Sequence, residues 1–153
     1  MNAIPLRSSA WIKLALLGAL LLFAGVASAQ NGSTTRGEFT VHYSALPSTL
    51  LTPEVARASG VTRSASRGLL NIAVRRAQGE GDIAVTASIE AAATNANGQR
   101  QSLRMREVRE GDAIYYLAEP RIGEGERLDF ELRITPNGSS EAIVLRFVQT
   151  FHP

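Results

Sequence analysis

Residues 128–134 read Leu128-Asp129-Phe130-Glu131-Leu132-Arg133-Ile134, and this stretch decides the fold class of the chain. Every second side chain in it is apolar, and a charged side chain stands between each apolar pair. Successive side chains of a β-strand point to opposite faces of the sheet. The alternation therefore predicts a strand with one face buried in a core and the other face in water.

The same alternation, or a short run of apolar residues, recurs on both sides of this strand. It predicts further strands at about 39–43, 70–74, 83–89, 103–105, 114–117 and 143–151. Residues that favour turns separate these runs, as in Asn97-Gly98, Glu110-Gly111-Asp112 and Asn137-Gly138. About seven short strands at this spacing predict an all-β domain built as a two-sheet sandwich.

The segment 44–67 shows no strand pattern, and we interpret it as a long crossover. Within it, Thr52 can cap a helix, Pro53 suits the first helical turn and Gly60 is a natural stop. These residues predict one short helix, at about 53–59. Long connections in compact domains usually cover something or take part in function.

The N-terminal segment has the three parts of a cleavable signal peptide. A positive region ends at Lys13, an apolar run follows at 14–25, and Ala27-Ser28-Ala29 supplies small residues for the peptidase. The apolar run is short for a bilayer crossing, which takes roughly 20 residues; an uncleaved anchor is the alternative. We predict cleavage after Ala29, a flexible leader at 30–36 and a sandwich domain at 37–153. The predicted location is the periplasm, with secretion as the second choice.

The composition of the mature part restricts its chemistry. From residue 30 onward the chain has 14 arginines, no lysine and 14 acidic residues, so it is formally neutral. Nucleic-acid binding normally needs an excess of positive charge, and neutrality argues against it. The chain has no cysteine, which excludes disulfides and cysteine-ligated metals.

The mature chain resembles a family of exported proteobacterial proteins, the domain of unknown function number 4426. The matching residues are Val41-His42-Tyr43, Ser48-Thr49-Leu50, Pro53-Glu54-Val55-Ala56, Arg63-Ser64, Asn71-Ile72 and the run Arg109-Glu110-Gly111-Asp112-Ala113-Ile114-Tyr115-Tyr116-Leu117. The resemblance runs from about Gly37 to the C-terminus. It implies an immunoglobulin-like sandwich and a periplasmic location, and it implies no activity.

Residues suited to catalysis or metal binding are scarce. Only His42 and His152 are available as histidines, and neither has a partner at a metal-ligand spacing. No Gly-x-Ser-x-Gly motif is present, and Ser-x-x-Lys cannot occur without a mature lysine. We therefore predict no catalytic residues, no metal and no cofactor, and we expect a protein that is not an enzyme. A hydrolase with an unfamiliar site is the least favoured alternative.

One candidate ligand site lies in or beside the crossover. Arg57, Arg63 and Arg67, with Ser64 and Asn71, could hold a carboxylate, phosphate or sulfate if they converge. The plainer interpretation is that Arg57 pairs with local acids and the other arginines are solvated. This candidate gives the alternative function, a binder or sensor of small anions.

A second candidate is a surface that binds a protein partner. Arg104 and Arg106 precede Tyr115 across a predicted tight turn, and arginine and tyrosine are enriched at protein interfaces. The plainer interpretation places the tyrosine in the core. With these features, the leading hypothesis is a non-enzymatic binding or accessory module for another envelope protein, recognised through a sheet edge or the long loop.

Overall fold

The structure is a computed structural model that describes residues 30–152, with the backbone alone at Gln30. The signal peptide and its cleavage after Ala29 lie outside the described residues and remain predictions. Within residues 30–152, no helix has the length and apolar character needed to cross a bilayer.

The described part of the chain contains ten strands and one α-helix. The strands are β1 (Gln30–Arg36), β2 (Phe39–Pro47), β3 (Gly68–Gln78), β4 (Gly81–Ala84), β5 (Ala87–Asn95), β6 (Arg100–Leu103), β7 (Arg106–Glu110), β8 (Ala113–Ala118), β9 (Glu126–Pro136) and β10 (Ile143–Phe151). The helix α1 spans Pro53–Ser59, after a 3₁₀ turn at Ser48–Leu50. The predicted all-β class and the short helix are confirmed.

The strands form two antiparallel sheets packed as a sandwich. The first sheet has the order β1-β2-β3-β8-β7, with β4 paired to β3, and the second has the order β10-β9-β5-β6. The predicted immunoglobulin-like two-sheet sandwich is confirmed, although it has ten strands rather than about seven. Two of the added strands arise where one predicted strand divides between the sheets. The run 83–89 divides into β4 and β5, and the run 103–105 marks the passage from β6 to β7.

The core lies between the sheets and follows the alternation in the sequence. The apolar side chains of residues 128–134 are 2% exposed or less, whereas the charged ones between them face water. Phe130 stacks on Phe147 with ring centroids 4.8 Å apart, and Phe151 packs beside it at 6.3 Å. Burying such rings is the main favourable contribution to folding in a domain without disulfides.

Residues 30–36, predicted as a flexible leader, instead form the edge strand β1. The strand pairs antiparallel with β2 from Gln30 opposite Ala45 to Arg36 opposite Phe39. The sequence did not reveal it because main-chain hydrogen bonds need no apolar side chains. Gly32 lies opposite Tyr43, and a Cβ at this glycine would collide with the tyrosine hydroxyl and ring. The glycine therefore lets the tyrosine side chain lie across β1.

The predicted crossover is a cover on the outer face of the first sheet. It joins β2 to β3, which are adjacent antiparallel strands, so the chain returns to the same sheet. Thr52 accepts a hydrogen bond from Val55 N at 3.3 Å, and Gly60 ends the helix with φ +64°. The apolar residues beneath form an outer cluster separate from the main core: Leu46, Leu51, Val55, Ala56, Val61, Leu69 and Leu117. The connection is long because it has to extend across the outer face of the first sheet and bury it.

Candidate arginine groove

A groove of about 810 Å³ opens on the side of the sandwich where β6 gives way to β7. Four arginines line it, and we call it the arginine groove: Arg67, Arg104, Arg106 and Arg121. Arg104 belongs to the segment by which the chain leaves the second sheet for the first. The groove therefore lies where the two sheets are joined by a strand connection.

Arg67 and Arg121 face each other across a short antiparallel bridge. Gly68 N donates to Pro120 O at 2.9 Å, and Ile122 N donates to Ser66 O at 3.1 Å on either side of this pair. Side chains directly opposite in such a pair lie roughly 5 Å apart at Cβ, and like charges there are destabilising. The fold thus places two arginines directly opposite each other at the groove.

Three of the four guanidinium groups have no acidic partner. Within residues 30–152, no ion pair involves Arg67, Arg104 or Arg121, and all three are exposed. Glu119 is the acidic residue of the groove lining, and its carboxylate accepts a hydrogen bond from Thr62 N at 3.1 Å. Four arginines against one glutamate give the lining a net charge of +3, although residues 30–153 as a whole are formally neutral.

Arg106 is the exception, because its guanidinium group donates hydrogen bonds to the C-terminal end of α1. Its Nη2 donates to Ser59 O at 2.6 Å and to Gly60 O at 3.3 Å. These carbonyls lie at the C-terminal end of α1, where the backbone lacks helical donors and the dipole is negative. Arg106 therefore fastens α1 to β7, and it contributes charge to the groove in addition.

Gln101 holds the wall of the groove in place. Its Nε2 donates to Arg121 O at 3.0 Å, and its Oε1 accepts from Arg121 N at 2.9 Å. Both hydrogen bonds go to the backbone of one residue, so the side chain mimics a strand partner. Gln101 lies on β6 of the second sheet, and this contact fixes the position from which Arg121 projects.

The first predicted ligand set does not converge. Arg57 is exposed on α1, with Nη2 3.7 Å from Glu54 Oε1 and Nε donating to Pro53 O at 3.3 Å. The Nη2 of Arg63 donates to Thr49 O at 3.1 Å. Of the predicted arginines of the crossover, only Arg67 lines the groove.

Ser64 and Asn71 lie elsewhere. Ser64 closes the loop, since its N donates to Ser48 Oγ at 2.9 Å and its O accepts from the same hydroxyl at 3.1 Å. Asn71 is 9% exposed on β3, and its Oδ1 has no hydrogen-bond partner among the described residues. It pairs in register with Ser44 and Leu117 on the covered side of the first sheet; Leu117 lines the groove, whereas Asn71 itself does not.

The three residues predicted to bind a protein partner do not share one surface either. Arg104 and Arg106 line the groove, whereas Tyr115 packs half-buried against the outer cluster. Burial raises the pKa of Tyr115, with a further contribution from the Glu110 carboxylate. The neighbouring Tyr116 points into the sandwich, where its hydroxyl donates to Glu107 Oε2 at 2.9 Å. The groove thus combines arginines that the sequence had assigned to two separate sites, and adds Arg121.

The candidate metal ligands do not form a site. His42 lies on β2, and His152 follows β10 with Nδ1 3.7 Å from Glu124 Oε1. Residues 30–152 contain no cluster of three or more histidine, cysteine, aspartate or glutamate side chains that could hold a metal ion. Two separated histidines without thiolates do not provide the converging ligands that transition metals require.

The family model for Domain of unknown function (DUF4426) matches residues 33–153. The chain belongs to this family. A solved DUF4426 protein from Pseudomonas aeruginosa PAO1 is 30% identical, with 80% of this chain and 95% of that protein aligned at a TM-score of 0.67. The match to the family confirms the resemblance found in the sequence. None of the curated proteins matches this chain.

More distant members of the sandwich fold share the architecture alone. FetP of uropathogenic Escherichia coli strain F11 is 11% identical, with 83% of this chain and 98% of FetP aligned at a TM-score of 0.58. A copper-bound variant of FetP is 15% identical, with 82% and 97% aligned at a TM-score of 0.52. Copper is bound in that protein. The DUF4426 chain described here lacks a fitting ligand cluster within residues 30–152.

Proposed function

We propose that this DUF4426 protein is an exported, non-enzymatic binding module of the periplasm, and that its arginine groove holds an anionic group of the ligand. The observation that carries the proposal is the bridge between Arg67 and Arg121, which places two arginines opposite each other in the groove lining with no ion pair to an acid among residues 30–152. A fold keeps such an arrangement at a cost, and an anion bound between the two groups removes that cost.

The chemistry of arginine supports an anion as the ligand. A guanidinium group stays charged at any physiological pH and offers a planar fork that matches a carboxylate or a phosphate. Arg104 brings a third such group to the same groove. The groove volume lies within the range of about 300–1,000 Å³ that is usual for pockets of small ligands.

The groove also supports binding rather than catalysis. Among the described residues that line it, Glu119 is the one titratable acid and there is no histidine, so an acid–base pair is missing. Ser102 is exposed there without a base to activate it. The N-terminal segment and the production of FetP in the periplasm support the proposed location.

The test is a thermal-unfolding screen of the mature protein with phosphate, sulfate, citrate and short dicarboxylates. An anion present at a hundred times its Kd adds about 2.7 kcal/mol to the free energy of unfolding, which raises Tm by several degrees. The variant with both Arg104→Ala and Arg121→Ala should lose this shift. Arg133→Ala, which removes an exposed arginine of β9 outside the groove, should keep it.

The proposal fails if no anion raises Tm of the unaltered protein, or if the shift is equally large in the double variant. A shift that disappears in Arg133→Ala as well would indicate a general response to surface charge instead of a site. Since all variants keep the core intact, circular dichroism at room temperature serves as the check that each one is folded.

A further inference from the structure

We infer that the occupant of the arginine groove is an extended acidic segment of another envelope protein, bound as an added strand. This inference rests on the proposed function and specifies its ligand. It depends on features besides the guanidinium groups: the unpaired strand edges beside the groove, the size of the groove and its partly apolar lining.

Unpaired strand edges border the groove on two sides. β6 is the terminal strand of the second sheet, so its outer side has no neighbour along Arg100–Leu103. On the first sheet, β7 pairs with β8 only as far as Leu117, which leaves Ala118 and Glu119 without a strand on that side among the described residues. Exposed edges of this kind are templates for an incoming strand, which gains main-chain hydrogen bonds.

The charge of the lining fits a segment with several acidic residues. One guanidinium group can fork one carboxylate, so Arg67, Arg104 and Arg121 together suit a ligand with more than one acid. A strand presents every second side chain to the same face, which places acids at regular intervals. The net charge of +3 on the lining is complementary to such a segment.

The size and lining of the groove argue against a lone inorganic ion. Its volume of about 810 Å³ greatly exceeds the roughly 30 Å³ that a water molecule takes up in the liquid. Leu103 and Met105 are half-buried in the lining, where they offer apolar contact between the charges. A peptide with acidic and small apolar groups uses both parts of this surface.

The experiment measures binding of a capped peptide of alternating Glu and Thr to the mature protein by fluorescence anisotropy. Two matched peptides act as controls: one with Gln in place of every Glu, and one methylated at alternate backbone nitrogens. The acidic peptide should bind about tenfold or more tightly than either control, since the first loses charge and the second loses strand pairing. Binding should weaken by a similar factor in Arg104→Ala and stay unchanged in Arg133→Ala.

Hydrogen exchange then locates the peptide. Bound acidic peptide should slow exchange of the backbone amides of Ser102 and Glu119, which point away from β5 and β3 toward the two unpaired edges. Citrate is the comparison ligand, because it supplies carboxylates without a backbone and should leave these amides unaffected.

The outcomes separate this inference from the proposed function. If citrate stabilises the protein through Arg104 and Arg121 but backbone methylation leaves peptide affinity unchanged, the added strand is wrong and the anion site stands. If neither citrate nor the acidic peptide binds, both are wrong. The two control peptides act on the unaltered protein, so this decision does not depend on how well any variant folds.

Discussion

Arg100 and Arg146 on the outer face of the second sheet differ from Arg67 and Arg121 in the groove because an acid lies beside them. On the face, Glu131 lies between two arginines, 2.9 Å from Arg146 Nε and 3.7 Å from Arg100 Nη2. In the groove, Arg67 faces Arg121 with no acid between them. On the outer face, the arginines already have an acidic partner in the same chain. In the groove, the positive charge of the arginines remains available to a ligand.

The difference follows from strand register. Arg146 and Glu131 are directly opposite in the pairing of β10 with β9, so opposite charges meet as cross-strand neighbours. The groove forms where the chain passes between sheets and where an isolated bridge brings together two loops. Arg146 and Glu131 neutralise each other in regular paired strands, whereas Arg67 and Arg121 meet at an irregular bridge without an acid partner.

The largest effect is expected when the support of the groove is removed. Gln101→Leu deletes both hydrogen bonds to the backbone of Arg121, and should lower the free energy of unfolding by about 1–2 kcal/mol. Anion binding should weaken with it, because Arg121 loses its fixed position. Urea unfolding measures the first effect and thermal shift with the anion measures the second.

A matched control exists at the end of β3. Gln78 is an exposed glutamine for which the described residues provide no side-chain hydrogen bond, so Gln78→Leu should change stability little. Equal losses in both variants would mean that the backbone contact of Gln101 has no special role. Unchanged anion binding in Gln101→Leu would show that the groove binds anions without the hydrogen bonds from Gln101 to the backbone of Arg121.

A smaller effect, with opposite signs in the two regions, is expected from charge reversal. Arg121→Glu replaces a like-charged pair with an opposite pair beside Arg67, and should stabilise the ligand-free protein by about 0.5 kcal/mol. Arg146→Glu places a second carboxylate beside Glu131 and should destabilise the protein. Chemical unfolding of both variants at low ionic strength checks the signs.

Salt provides the control for this pair of variants. The change in the free energy of unfolding should become smaller in both variants as ionic strength rises, because exposed charges are screened over roughly 10 Å at 0.1 M salt. A destabilised Arg121→Glu protein at low salt would contradict the idea that Arg67 and Arg121 repel each other in the ligand-free state.

The smallest effect concerns the pKa of Glu131. The hydrogen bond and the charge of Arg146 hold this pKa below the ordinary glutamate value, with a lesser contribution from Arg100. Since the folded-state pKa is the lower one, the stabilisation is fully present above the unfolded-state pKa and is lost as pH falls through the folded-state value. Titration of the carboxyl carbon by NMR should show the lowered pKa.

Arg146→Ala should move the pKa of Glu131 most of the way back toward the ordinary value, because Arg100 is farther from the carboxylate. Arg104→Ala should leave the pKa of Glu131 unchanged, since Arg104 lines the groove and not this face. An ordinary pKa for Glu131 in the unaltered protein would contradict the description of this face as internally paired.

Much of the fold could be predicted because its signals are local. The helix at 53–59 was predicted with its bounds, since Thr52 and Gly60 act on backbone groups within a few residues. The runs at 83–89 and 103–105 were each assigned to one strand, because the alternation of side chains continues while the backbone changes sheets. β1 was missed because an edge strand needs no apolar pattern when backbone pairing holds it.

The candidate site could be predicted only in fragments. The sequence singles out Arg67, Arg104 and Arg106, but it predicts two separate surfaces for them because Arg67 is far from the other two along the chain. Arg121 carried no signal, since it follows a proline in a loop and meets Arg67 through a bridge far along the chain. Arg57 pairs with Glu54 one helical turn earlier, as the plainer interpretation of the sequence predicted. The hydrogen bond from Arg63 to Thr49 O is one that no spacing rule indicates.

The sequence by itself determined which side chains are buried, the two-sheet class, the short helix and the balanced charge of residues 30–153. These properties depend on the period of two along a strand and on contacts between near neighbours. Only the tertiary structure decided that three arginines without acids share one groove, and that the long connection covers the first sheet. Strand order and the points where the chain changes sheets bring distant residues together, and neither is written in the local pattern of a sequence.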